Sequence, residues 1–230
     1  MGRIYFTSGI DTDIGKSVVT GMLARHLSTR GLRVITQKLV QTGDSGVSMD
    51  IRLHRKLMGS PLLDIDLDGT TCPALYSFPA SPHLAAELEH REVPIREIDR
   101  ATEKLRENFD VVLLEGAGGV LVPLNRQLYT LDFVAERGYP LILVTSGRLG
   151  SLNHTLLSLE AAERRGVEVA GVVDNYCPAA DPVIAADSWR YIQNYLAAHH
   201  PGAFAVRLEK VDLERPETAK WESEDELSRL

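Results

Sequence analysis

Six short runs of this chain are apolar almost throughout, and turn residues bound each of them. They are "RIYFTS" (3–8), "RVITQKLV" (33–40), "VVLLEG" (111–116), "LILVTS" (141–146), "VAGVVDN" (169–175) and a weaker "AFAVRL" (203–208). Runs of this length, rich in Val, Ile and Leu, predict strands buried on both faces. Helix-like stretches at 16–30, 95–108 and 151–165 lie between them, and Val19, Met22, Leu23 and Leu27 share one side of the first. The alternation predicts an α/β fold: a parallel sheet covered by helices on both faces, in three layers. Ligands of such folds sit at the carboxyl ends of the strands. Polar residues collect there. Asp11 and Lys16 follow the first run, Lys38 to Gly43 end the second, Glu115 closes "VVLLE", and Arg148 follows "LILVTS".

Composition narrows the class. The 230 residues are 44% hydrophobic and 25% charged, which is ordinary for a soluble globular protein. No stretch approaches the ~20 apolar residues of a membrane helix. The start, "MGRIYFTSG", enters a strand directly, without the basic, apolar and small-residue order of a secretory leader. A cytoplasmic enzyme is expected, with no membrane or nucleic-acid partner, since a net charge of −7 opposes the basic surface that nucleic acid requires. Cys72 and Cys177 form no Cys-x-x-Cys pair and are expected to be unpaired thiols. A small anionic substrate then needs local positive charge, for which Lys16, Lys38 and Arg148 are candidates. No repeat or linker divides residues 1–208, which are expected to form a single domain. The acidic stretch 209–230 is expected as a solvated tail or surface helix without function, with Trp221 as its docking residue.

Chemistry enters with "GIDTDIGKS" (9–17). A strict phosphate loop, G-x-x-x-x-G-K-[ST], places its first glycine at position 10, where this chain has Ile10; Gly9 comes one residue early. The setting of strand, tight loop and helix is nevertheless the one that phosphate binding uses, because unpaired amides at a helix start face the anion. Lys16 would add charge near the outer phosphates and Ser17 a hydroxyl for magnesium. An accidental triplet with a solvated Lys16 is the alternative. Glu115 precedes "GAGG" and suits a magnesium ligand, or else begins a surface turn. Lys38 either points to the site, where it would neutralise a transferred phosphoryl group, or lies on a sheet edge. "DIDLDGT" (64–70) starts like a calcium loop but has Leu75 where a glutamate is required, so it is expected to be a polar loop. His199 and His200 are expected to end a helix before Pro201.

Together, "GIDTDIGKS", "KLVQTG", "SPHLAAE", "VVLLEGAGGVLVPL", "PLILVTSGRLGSLNHTLLSLEAA" and "GVEVAGVVDN" resemble the dethiobiotin synthetases, in order over residues 3 to about 176. That family's loop reads G-x-D-T-x-x-G-K-[ST], which accounts for Gly9. The resemblance implies the phosphate-loop NTPase type of sheet and a homodimer using ATP and magnesium. Its reaction would form a cyclic urea from 7,8-diaminononanoate and carbon dioxide, through a carbamate and a carbamic-phosphoric anhydride. By motif, it implies a nucleotide site of Thr12, Asp13, Ile14, Gly15, Lys16, Ser17, Val18, Glu115, Gly116, Gly118 and Asn175, the last at the adenine. It further implies that Lys16 and Lys38 contact the transferring phosphoryl and that Ser17, Asp50 and Glu115 hold magnesium. Thr12 and Thr42 would take part in catalysis, Thr42 by hydrogen-bonding the carbamate. Leu149, Gly150, Ser151 and Asn153 of a second copy would contact the substrate's carboxylate tail. The chain departs from the pattern at Leu39, usually proline, at Asp13, commonly glutamate, and after the last strand, where no G-x-x-P is recognisable. A regulatory dimeric ATPase switch and a paralogue serving another amine or carboxylate are the rival readings.

Overall fold

The computed structural model describes residues 1–176 and 180–230; Cys177 lies outside the described residues. In chain order the elements are β1 (Arg3–Gly9), α1 (Lys16–Thr29), β2 (Val34–Lys38), β3 (Gln41–Thr42), α2 (Met49–Met58), α3 (Asp64–Leu67), β4 (Leu75–Tyr76), α4 (Pro82–Leu88) and α5 (Ile95–Asn108). There follow β5 (Val111–Gly119), α6 (Thr130–Arg137), β6 (Leu141–Ser146), α7 (Ser151–Glu163), β7 (Val169–Asn175), α8 (Pro182–His199), β8 (Phe204–Leu208) and β9 (Trp221–Glu222). All six apolar runs are strands, and His199 ends α8 with His200 as its cap.

One sheet runs β2-β5-β1-β6-β7-β8-β9, parallel except for the antiparallel β8–β9 pair. Its central strands carry apolar residues on both faces because helices cover both. Every residue of β6 is buried, and Val19, Met22, Leu23 and Leu27 of α1 pack into the same core. The chain leaves β1 toward β2 but leaves β6 in the opposite direction, toward β7. This opens a crevice at the carboxyl ends of the strands.

The carboxyl-terminal stretch corrects its expectation. Instead of a solvated tail or a surface helix, residues 209–230 form a strap of short 3-10 turns and β9 against the free edge of β8. Leu227 and Leu230 are buried, the Tyr5 hydroxyl donates to the Leu230 carbonyl at 3.1 Å, and His26 meets Glu224 at 3.1 Å. A strand edge presents unpaired amides and carbonyls, and pairing with β9 satisfies part of that edge whatever the segment's low apolar content. Trp221 does dock, half-buried, with its ring edge-on to His26.

Candidate active site

The loop before α1 needs glycine at Gly15. Its φ is +89°, and a Cβ there would lie 2.1 Å from the Asn175 amide nitrogen, so no other residue fits. That amide donates to the Ile14 carbonyl at 3.0 Å, and the Ile14 side chain faces the core. The amides opening α1 have no side-chain cap, which leaves them directed at the crevice. Lys16 is buried and folds back to donate to the Asp11 carbonyl at 2.9 Å. Burial, followed by the nearby Lys38 charge, pushes the Lys16 ammonium below its ordinary pKa. Arg148 pairs with the Asp11 carboxylate at 3.0 Å on the exposed rim.

A cluster of buried charges forms beside this loop, at the end of β2 and the middle of β5: Glu115 does not close its strand as expected, because β5 runs on to Gly119, which pairs with Gly9 of β1. Strand register sets Lys38 next to Glu115. Glu115 is wholly buried; its Oε1 accepts from Ser17 Oγ at 2.8 Å and from Lys38 Nζ at 2.7 Å. Lys38 also reaches Asp50 Oδ2 at 2.5 Å and donates to the Gly116 carbonyl at 3.0 Å. Burial by itself would neutralise both partners, but the opposite charges prevail. Burial raises the Glu115 carboxyl, yet Lys38 and then His54 hold it far below the usual carboxylate range. Lys38, lowered by burial, is pushed well above an ordinary lysine by Glu115 and Asp50.

Asp50 reaches the cluster because α2 starts in the right place. Ser48 caps the helix by accepting from the Ile51 amide at 3.3 Å, and its hydroxyl donates to Gln41 at 2.7 Å. One turn further, His54 Nε2 stands 2.8 Å from Glu115 Oε2, entirely buried. The sequence reading passed over His54. Its signal was the i, i+4 spacing from Asp50, which sets both residues on one face of α2. Arg55 behind it is also buried and grips Asp66 through two hydrogen bonds, 2.9 and 2.8 Å, while Thr36 accepts from it at 2.9 Å. "DIDLDGT" is therefore only partly the expected polar loop: it includes the helical turn α3, whose Asp66 anchors α2.

The Lys38 ammonium lies between two carboxylates, Asp50 and Glu115, and the Ser17 hydroxyl donates to the same Glu115 oxygen; this all-oxygen set suits a hard divalent ion. Among the described residues no cluster of three or more His, Cys, Asp or Glu is placed to bind a metal. Phosphate and water would have to complete the coordination, as is usual for magnesium.

The other expected residues fall into three places. Thr12 and Asp13 are exposed on the loop, Asp13 in a left-handed conformation at φ 56°. Val18 packs on the core and Gly118 adjoins Thr12, while Thr42 lies half-buried in β3. Leu149 and Asn153 are exposed on the far rim beside Gly150, but Ser151 is buried, its hydroxyl 3.2 Å from Ser146, so that side chain faces inward. Asn175 lines a cavity of about 480 Å³ with Asp174, Arg207, Lys210 and Glu222, so the strap contributes to a wall of the crevice. Arg207 joins Asp174 at 2.8 Å and Glu222 at 3.2 Å. Arg207 and Glu222 also escaped the sequence reading.

A family model described as an AAA domain matches residues 3–204. The ATP-dependent dethiobiotin synthetase BioD of Chlorobaculum tepidum is 57% identical over 81% of this chain and 78% of its own. The chain belongs to the dethiobiotin synthetase family. A second relative, the ATP-dependent dethiobiotin synthetase BioD 2 of Haemophilus ducreyi, is 49% identical over 87% of this synthetase and 95% of its own length. Among solved structures, pNOB8 ParA bound to nonspecific DNA superposes with a TM-score of 0.56 at 13% identity, covering 94% of this synthetase and 84% of that chain. That likeness concerns the fold alone. No helix among the described residues is long and apolar enough to cross a membrane.

Proposed function

We propose that this synthetase closes the urea ring of dethiobiotin from 7,8-diaminononanoate, carbon dioxide and ATP in the crevice above β1, β2 and β5. The observation that carries the reading is the meeting of two buried ammonium groups, Lys16 and Lys38, with Ser17, Glu115 and Asp50 beside uncapped helix amides. One substrate amine adds to carbon dioxide, forming a C–N bond and losing a proton to give a carbamate. A carbamate oxygen then attacks the γ-phosphorus, and the bond to the β-phosphate oxygen breaks to release ADP. The second amine attacks the carbonyl of the resulting carbamic-phosphoric anhydride and loses a proton, closing the ring as the bond to the phosphate oxygen breaks and phosphate leaves. Such a reaction asks the protein chiefly for alignment and charge neutralisation.

The roles follow from position. The α1 amides and Lys16 hold the phosphates, and Lys38 offsets charge on the phosphoryl group as it transfers. Ser17, Asp50 and Glu115 would hold magnesium, which supplies charge neutralisation at the phosphate oxygens when bound. Binding it requires Lys38 to give up its contacts with the carboxylates, so the ammonium keeps the oxygens in place until nucleotide arrives. Thr12 and Thr42 would hydrogen-bond substrate oxygens, and the cavity at Asn175 would take the base. A homodimer would bring Leu149 and Asn153 of one protomer to the crevice of its partner. Exposed Leu121, Leu149 and Leu157 supply apolar surface around that crevice.

The test is purified protein with the diamine, bicarbonate and MgATP, and with no other protein. Dethiobiotin detected by mass spectrometry, formed one per ADP, is the expected result. ATP hydrolysis at the same rate without the diamine would overturn the reading.

A further inference from the structure

We infer that His54 is a positioning residue that orients Glu115 toward the nucleotide-bound cation. The inference rests on the proposed role of Glu115 as a metal ligand. It starts from an unusual expense in the core: His54 has no exposed surface, and its Nδ1 has no hydrogen-bond partner among the described residues. A leucine of similar bulk would avoid that orphan atom, so the imidazole is explained by its other nitrogen. Nε2 stands 2.8 Å from Glu115 Oε2, and since a carboxylate only accepts, Nε2 carries the hydrogen. Oε2 is thereby engaged, and Oε1 is the oxygen left facing Ser17 and Lys38.

The scaffold holds His54 to this task. Asp50 and His54 share one face of α2, and both meet the same cluster from one side. The Arg55–Asp66 pair, on the residue next to His54, anchors the same helix. α2 also lies tight on α1 at Gly21, where a Cβ would come 2.7 Å from Leu57 and 3.3 Å from the His54 Cα. The helix that begins with the phosphate loop is thus packed directly against the helix that carries His54. Groups that orient a metal ligand from behind commonly change metal affinity or activity by about 10–100-fold when removed.

The experiment measures Mn²⁺ binding to the protein–ADP complex by electron paramagnetic resonance, in wild type, His54→Leu, His54→Gln and Glu115→Gln. Weakening by about 10-fold or more in His54→Leu is expected, with most of it recovered in His54→Gln, whose amide is also a donor. If Glu115→Gln weakens Mn²⁺ but a folded His54→Leu binds it as wild type does, the role of His54 is overturned while Glu115 stands as a ligand. If Glu115→Gln also binds normally, the metal-ligand reading has failed first, and the role of His54 falls with it. Should His54→Leu not fold, ¹⁵N spectra of wild-type imidazole decide. Nε2 must be protonated and hydrogen-bonded, with its signal moving on addition of MgADP, and a proton on Nδ1 alone or an unmoved signal overturns the inference.

Discussion

Where the end of β2 lies against the middle of β5, Lys38 and Glu115 are shut away from water and meet at 2.7 Å, with Ser17 and His54 on Glu115 and Asp50 on Lys38. At the ends of β7 and β8, Arg207 is a quarter exposed and its partner Glu222 about half exposed, 3.2 Å away on the strap. Both groups belong to the same sheet, but water screens only the second. A buried charge depends on each named partner, because losing one strands the other in a medium that cannot solvate it. An exposed charge falls back on solvent. The phosphate side of the site should therefore tolerate little change and the strap side considerably more.

Kinetics provide the sharpest way to break that contrast. Lys16→Ala and Lys38→Ala should each lower kcat by about 10²–10³-fold, the range for removing a group that stabilises developing charge, with far-UV circular dichroism unchanged. Glu222→Gln should alter KM for ATP by less than about tenfold, since an exposed pair contributes about 0–1 kcal/mol. Equal losses on the two sides would end the distinction.

Urea denaturation tests the same idea on stability. Arg55→Ala leaves Asp66 buried without its counter-charge and should cost about 3–5 kcal/mol, against at most about 1 kcal/mol for Glu222→Gln. A small loss in Arg55→Ala would mean that Asp66 recruits water or another donor.

Acid provides the finest distinction, because the two carboxyls shift in opposite directions. Glu115 lies below its unfolded pKa in the folded protein. Its contribution is complete above about pH 4.3 and is lost only as pH falls through the depressed folded value. Asp174 is raised, chiefly by burial and against the pull of Arg207. Its penalty applies above the raised value and is relieved as pH falls through it. Mild acid, just above the ordinary carboxylate range, should thus relieve Asp174 while leaving the Glu115 cluster intact. Comparing wild type with Asp174→Asn by urea midpoints at neutral and mildly acidic pH should show a small relative gain for wild type. No difference between the two pH values would place Asp174 outside this account.

The strands were legible because sheet burial leaves a local mark: "LILVTS" and "VAGVVDN" coincide with β6 and β7 residue for residue. The glycine loop between β1 and α1 was legible too, since glycine and lysine spacing is dictated by backbone geometry within nine residues. The strap was not. Its composition is that of a solvated segment, and what seats it is an open edge of β8 that composition does not describe. "DIDLDGT" likewise reads as a loop until Arg55 is seen across from Asp66.

By itself, then, the sequence determined which segments are strands, that a tight glycine loop leads from β1 into α1, and that Lys38 lies at the end of its strand. Short-range periodicity and turn chemistry settle those matters without reference to the rest of the chain. The tertiary structure alone decided that Lys38 and His54 converge on Glu115 with Asp50 against Lys38, and that a carboxyl-terminal strand walls the Asn175 cavity. His54 and Glu115 are 61 positions apart and Lys38 and Glu115 77. Only the register of β2 against β5 and the docking of α2 on α1 bring them within hydrogen-bond distance.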